Sequence, residues 1–338
     1  MNRSPRVTAA MVAERAGLSV ATVSLVLNSK TDGRVSAANI ARVQTAVAEL
    51  GYVVDQGASA LARGRSDLVI LIAPDLSNPF FGSVIRGIKA ELGSRFQLVL
   101  SVTESGVQPS AGDLRRFAGL RPAGLLVDAP SDAFLADLSG DEPLVLLDAP
   151  GLEESVAAVN YDMHQAIADL VDHLAERGHR TIAYLDSTTG TTTFHLRRRR
   201  VLDRAATHGM TVVTPGAARS IIDMQAAAYA FRDAWPLLES SGVTAVVCAT
   251  DTHAYGVLEA ARTLGLAVPH SLAVTGFDDL PYSRVTSPAL TTVRLPGEPL
   301  GHAAAKRLVR MIDETEPAEG QPNLVATFVA RESTGAIG

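Results

Sequence analysis

Asp75 with Phe80-Phe81, Asp148, Thr250-Asp251 and Asp278-Asp279 each follow a short apolar run in this 338-residue sequence. Ionised carboxylates accept hydrogen bonds from paired hydroxyls, and a phenyl ring covers the apolar side of a small cyclic molecule. Together they suit a site for a sugar or another small polar compound. Taken singly, each aspartate could equally cap a helix or form a turn. Convergence of several at one cleft is what favours a site.

Bond-breaking chemistry finds less material. The eight histidines are scattered, no HExxH or CxxC spacing occurs, and Ser83 in FGSVI lacks the GxSxG setting of a nucleophile elbow. No GxGxxG or Walker loop follows the first apolar run, so no nucleotide cofactor is expected, and without HExxH or CxxC spacing no metal is expected either. Cys248, the only cysteine, lies in TAVVCAT and reads as a small core residue. An enzyme is therefore not expected.

Ligands of open α/β sheets meet loops at the carboxyl ends of strands, so the candidates need strands before them. The sequence predicts strands at Leu68–Ala73, Gln97–Val102, Gly124–Asp128, Leu144–Asp148, Thr181–Asp186, Ala245–Thr250 and Leu272–Phe277. Amphipathic helical stretches alternate with them, which implies parallel sheets covered on both faces. The Arg197–Arg200 run invites a nucleic-acid reading. It suits better the start of a helix with one or two arginines facing the cleft.

The first 65 residues differ in kind. They carry eight Lys/Arg against four acids, whereas the whole chain is at −6, so the remainder holds about −10. A basic head on an acidic body suits a DNA reader joined to a sensor. Thr8 can cap a helix with Val12, Ala13 and Ala16 inside and Gly17 at its end. Ser19 can cap a second, VATVSLVLN, with Val23, Val26 and Leu27 inward. A third starts at Ser36, carries Ile40, Val43, Val47 and Leu50, and stops at Gly51. Two short helices around a tight glycine turn match a helix-turn-helix. The second helix then enters a major groove with small or hydrogen-bonding residues outward: Ser19, Val20, Ala21, Thr22, Ser24 and Asn28. No run approaches the roughly 20 apolar residues of a membrane span, and the N-terminus lacks a signal-peptide core. A cytoplasmic protein is expected.

AERAGLSVATVSLVLN, followed by RVS, VAELGY and an ASAL segment, resembles the lactose/galactose repressor (LacI/GalR) family. DLSNPFFGSVIRGI (75–88), LGLAVPHSLAVTGFDDLP (264–281) and SPALTTVRLP (287–296) continue the resemblance over nearly the whole chain. It implies a small all-α helix-turn-helix head on a periplasmic-binding-protein-like sensor of two doubly wound parallel-sheet subdomains. The implied division is 1–52 for the head, 53–65 for a hinge helix and 66–338 for effector binding and dimerisation. Within the last, one subdomain takes 66–163 and 292–323 and the other 164–291 and 324–338. In the family the hinge folds on DNA, and two subunits each wedge a leucine into the minor groove. Ala58 and Leu61 stand there. Thr8, Leu25, Arg34 and Ser36 complete the DNA-contacting set, and His195 with Arg197 joins Asp75, Phe80, Phe81, Asp148, Thr250 and Asp278 at the effector. The implied partners are a palindromic double-stranded operator, a small effector and a second copy of the chain.

Several positions depart from the family. Leu25 stands where many members carry an arginine, Val53-Val54-Asp55 where Arg-Pro-Asn is frequent, and Ser59 where another arginine is common. His195 and Thr250 replace a frequent arginine and asparagine in the sensor. The operator and the effector chemistry are thus expected to be unusual. The rival classes are a transporter's solute-binding protein, which has no use for residues 8–51, and a sugar-processing enzyme, which needs a phosphate loop or metal cluster.

Overall fold

A computed structural model of the chain describes residues 7–27, 31–52, 66–74, 76, 78–103, 107–130, 142–315 and 324–335. Asn28, Ala58, Leu61, Asp75 and the segment 53–65 expected to form the hinge lie outside them. The chain divides into two compact units, Met1–Ser66 and Asp67–Gly338.

In the first unit the capping residues set the helix limits. Helix α1, Ala9–Ala16, starts where the Thr8 hydroxyl accepts from the Met11 amide and stops at Gly17, whose φ of 63° is the left-handed conformation glycine tolerates. The Ser19 hydroxyl accepts from the Thr22 amide at 3.1 Å as α2, Val20–Leu27, begins. Ser36 caps α3, Ala37–Leu50, which ends at a left-handed Gly51. Val12, Ala13, Ala16, Val23, Val43 and Ala46 form the core, with Val26, Leu27, Val47 and Leu50 packed at its edge. Ile40 is half-buried outside that cluster, and Ala46 takes the inner place one turn after Val43.

The second unit contains two main sheets. Strands β1 (Leu68–Ala73), β2 (Gln97–Val102), β3 (Gly124–Asp128), β4 (Leu144–Leu147) and β5 (Ala158–Val159) form a parallel sheet ordered β2-β1-β3-β4-β5. Its strands are apolar on both faces because helices cover both: Val69 and Leu71 enter one core, Ile70 and Ile72 the other. Helices α4 (Phe80–Leu92) and α5 (Ala111–Arg115) belong to this subdomain. The chain crosses through β6 (Tyr161–Asp162) into α6 (His164–Glu176), β7 (Thr181–Ser187), α7 (Thr192–Thr207), β8 (Thr211–Val213), β9 (Arg219–Ser220), α8 (Met224–Ser240), β10 (Ala245–Cys248), α9 (Asp251–Leu264), β11 (Ala273–Asp278) and β12 (Thr291–Arg294). It returns as α10 (Gly297–Ile312), then crosses again as β13 (Leu324–Val325) and β14 (Thr327–Val329). The second sheet runs β14-β12-β11-β10-β7-β8 with β9 beside β7, parallel except at β14. Crossing strands β6 and β13 pair with each other.

β12 pairs with β11, so the return crossing comes after Arg294, a few residues beyond the expected 291. The sequence missed β5, β6, β8, β9 and β12 to β14, all of four residues or fewer and too short for a periodicity. It also overran β10 by two residues, because Thr250 turns out of the strand to cap α9.

Candidate functional site

The carboxyl ends of β1, β3, β4, β10 and β11 meet the starts of α4 and α7 around a cleft. Of the residues singled out in the sequence, Phe80, Phe81, Asp148, Arg197, Thr250 and Asp278 line it. Asn78, Asp128, Thr189, Thr191, Thr193, Phe194 and Ile222 join them. Asp128 ends the apolar run GLLVD, the criterion that selected Asp148 and Asp278, and was legible on that ground.

His195 does not join the cleft. It is exposed on α7, whereas Arg197 is buried. Residues two apart on a helix lie about 200° round its axis, so His195 and Arg197 cannot share a site. Phe194, Arg197 and Val201 make the inward stripe. The next arginines turn away, Arg198 to Asp186 at 2.7 Å and Arg199 to Asp203 at 3.7 Å.

Arg197 is held rigidly. Its guanidinium lies 5.1 Å from the Phe194 ring centre and 5.2 Å from that of Phe277, and it donates to the Ala249 carbonyl at 3.1 Å. Asp278 Oδ1 is 3.9 Å away, and Arg197 Nε is buried without a partner. Two hydrogen bonds cross the cleft. Asn78 Nδ2, beside α4, donates to Asp278 Oδ2 at 3.3 Å, and Thr193 Oγ1, on α7, donates to Asp148 Oδ1 at 2.9 Å. Each links one subdomain to the other.

Asp148 and Asp278 take φ values of 48° and 113°, and Ala129 beside Asp128 takes 40°. Such positive values are strained for non-glycine residues and persist where the surroundings enforce them. Burial raises all three carboxylates. Asp278 rises to about 7, although Arg197 and the Asn78 bond oppose it. Asp148 rises against Arg197 and Thr193, and Asp128 rises well above its ordinary value with Asp148 adding to burial. The hydroxyl of Thr250 is committed locally: it accepts from the His253 amide at 3.2 Å and meets His253 Nδ1 at 2.8 Å. Its neighbour Asp251 accepts from the Leu280 amide, Ser283 and Thr292, tying α9 to the segment after β11 and to β12.

In the first unit, Thr8, Ser19, Val20, Ala21, Ser24, Arg34 and Ser36 are exposed, and Thr22 and Leu25 are half-buried. Ser19 Oγ and Thr22 Oγ1 are 2.9 Å apart, so these hydroxyls reach a partner as a linked pair. The outer side of α2 is thus small and hydroxyl-bearing, with the chemistry of a groove-reading surface.

Residues 10–55 match the model of "bacterial regulatory proteins, lacI family", and residues 171–334 that of the "periplasmic binding protein-like domain". The chain is 28% identical over 332 residues to the HTH-type transcriptional repressor CytR of Escherichia coli (strain K12), covering 96% of each. It is 31% identical over 342 residues to the HTH-type transcriptional regulator CelR of Thermobifida fusca, covering 94% of this chain and 96% of that one. A lac repressor dimer bound to operator and the anti-inducer ONPF matches with a TM-score of 0.82 at 23% identity, covering 98% of this chain and 100% of that one, which shows the fold. A CelR–cellobiose complex matches at a TM-score of 0.68 and 27% identity, covering 97% and 100%.

Proposed function

Because the chain belongs to the lacI family of bacterial regulatory proteins, we propose that it is a dimeric, ligand-responsive transcriptional repressor acting in the cytoplasm. Its heads grip a palindromic operator, and its α/β unit binds a small polar effector, a sugar or related metabolite. The observation that carries this reading is one chain holding both a hydroxyl-faced helix-turn-helix and a cleft lined by buried polar groups, Asp128 Oδ1 and Arg197 Nε among them, that have no partner within the protein. The solved relatives support each part: one is a dimer on operator, another holds cellobiose. Binding, not turnover, is the work of the cleft.

The cross-cleft bonds Asn78–Asp278 and Thr193–Asp148 suggest how binding is transmitted. An effector hydroxyl or amine competing for these carboxylates changes the angle between subdomains. In a dimer that angle sets the spacing of the two hinges, and with it whether both Leu61 side chains reach the minor groove. Ligand and operator affinities are then linked reciprocally. Footprinting with purified protein over the DNA around its own gene tests the reading. A protected palindrome is expected, with Leu61→Ala lowering specific affinity by about tenfold or more while sparing dimerisation. No protected site overturns the repressor reading, and unchanged binding by Leu61→Ala overturns the wedge.

A further inference from the structure

Among the described residues lining the cleft, three carboxylates, Asp128, Asp148 and Asp278, face a single cation, Arg197. The latter two carboxylates have donors in Thr193 and Asn78. Asp128 does not fit that pattern: it is 4% exposed, and its Oδ1 is buried with no hydrogen-bond partner. A buried acceptor left unmet keeps the cost of its lost hydration with nothing to offset it. A bound hydroxyl would satisfy the acceptor but leave the excess negative charge uncompensated in a low-dielectric pocket. A bound ammonium answers both needs, whereas a sugar acid or phosphate adds a further anion to three carboxylates.

We propose that the effector is a hydroxylated ring bearing a basic nitrogen, such as an amino sugar or iminosugar, with its ammonium lodged against Asp128. The inference rests on the cleft being the effector site. The aromatic walls, Phe80, Phe81 and Phe194, supply the apolar face that such a ring needs. The groups facing Asp128 agree with it. Burial first, then Asp148, push its carboxyl up, and Arg197 opposes them. The hydroxyl of Tyr161, also buried without a partner, stays neutral beside the same carboxylates. An arriving ammonium offsets both the burial and the repulsion from Asp148.

Calorimetry on the full chain at pH 7 tests this with glucosamine against glucose, galactosamine against galactose, 1-deoxynojirimycin, and gluconate as the acid. At least one amine is expected to bind about tenfold or more tightly than its hydroxyl parent. Asp128→Asn should bring amine and parent within about twofold, and Asp128→Glu should keep the preference. Equal or tighter binding of neutral sugars or gluconate overturns the inference, as does an amine preference surviving in Asp128→Asn, or no binding by any amine. If a neutral sugar binds and shifts operator affinity, the sensor reading stands and only the amine falls.

Discussion

Asp278 sits where three demands meet: it ends β11, accepts from Asn78 across the cleft, and lies 3.9 Å from Arg197. Burial outweighs the last two and raises its carboxyl to about 7. The unfolded chain has it near 3.9. Between those values the folded state binds more protons, so this group's contribution to stability is full below about pH 4 and is lost as pH rises through about 7. Relative to Asp278→Asn, the wild type should lose stability over that window, by at most about 1.4 kcal/mol per pH unit. Urea unfolding of both proteins at pH 5 and pH 7.5 measures it, and parallel pH profiles would contradict it. At this scale the sequence was legible where a polar residue ends an apolar strand. Asp148 and Asp278 were found so, and Asp128 obeys the same rule. His195 shows the limit: on a buried helix, spacing decides which of two basic residues faces inward, and only Arg197 shares the stripe of Phe194 and Val201.

Helices α4 and α10 come together at glycine. A Cβ at Gly87 would lie 2.0 Å from the Glu298 carbonyl oxygen, and one at Gly301 2.0 Å from that of Val84. The two backbones thus approach more closely than any side chain permits, which fixes the helix whose first residues, Phe80 and Phe81, wall the cleft. Gly87→Ala should destabilise the fold by about 1–3 kcal/mol through overpacking. Gly82→Ala, on the same helix with nothing within 4 Å, should be neutral or stabilising by up to about 1 kcal/mol. Chemical denaturation of the two variants separates packing from propensity, and equal midpoints would refute the close approach. None of this was visible beforehand, since a helix contact made by the absence of side chains leaves no apolar period. Caps were the opposite case: Thr8, Ser19, Ser36, Gly17 and Gly51 act in the structure as their types suggested. Strands β5, β6, β8, β9 and β12 to β14 were lost because pairing, not local pattern, defines them.

At the scale of the molecule, the α/β unit is threaded three times between its sheets: at β6 into α6, after β12, and from β13 to β14. Three strands of chain leave a hinge, and the cross-cleft bonds of Asn78 and Thr193 set its closure. At the second, Thr291–Arg294 completes a sheet before the chain turns back. What the fold cannot do by itself is repress. That requires the effector cleft to bias DNA binding, with a coupling of about 1–3 kcal/mol in a typical two-site protein. The most direct measurement is the affinity of the full chain for a fluorescent DNA fragment selected by the protein from random sequence. It is read by anisotropy with and without a saturating amount of whichever sugar or amino sugar binds the cleft by calorimetry. A change of about fivefold to 150-fold, removed when Arg197→Ala abolishes ligand binding, is the expected result. Full occupancy of the cleft with unchanged operator affinity would contradict it.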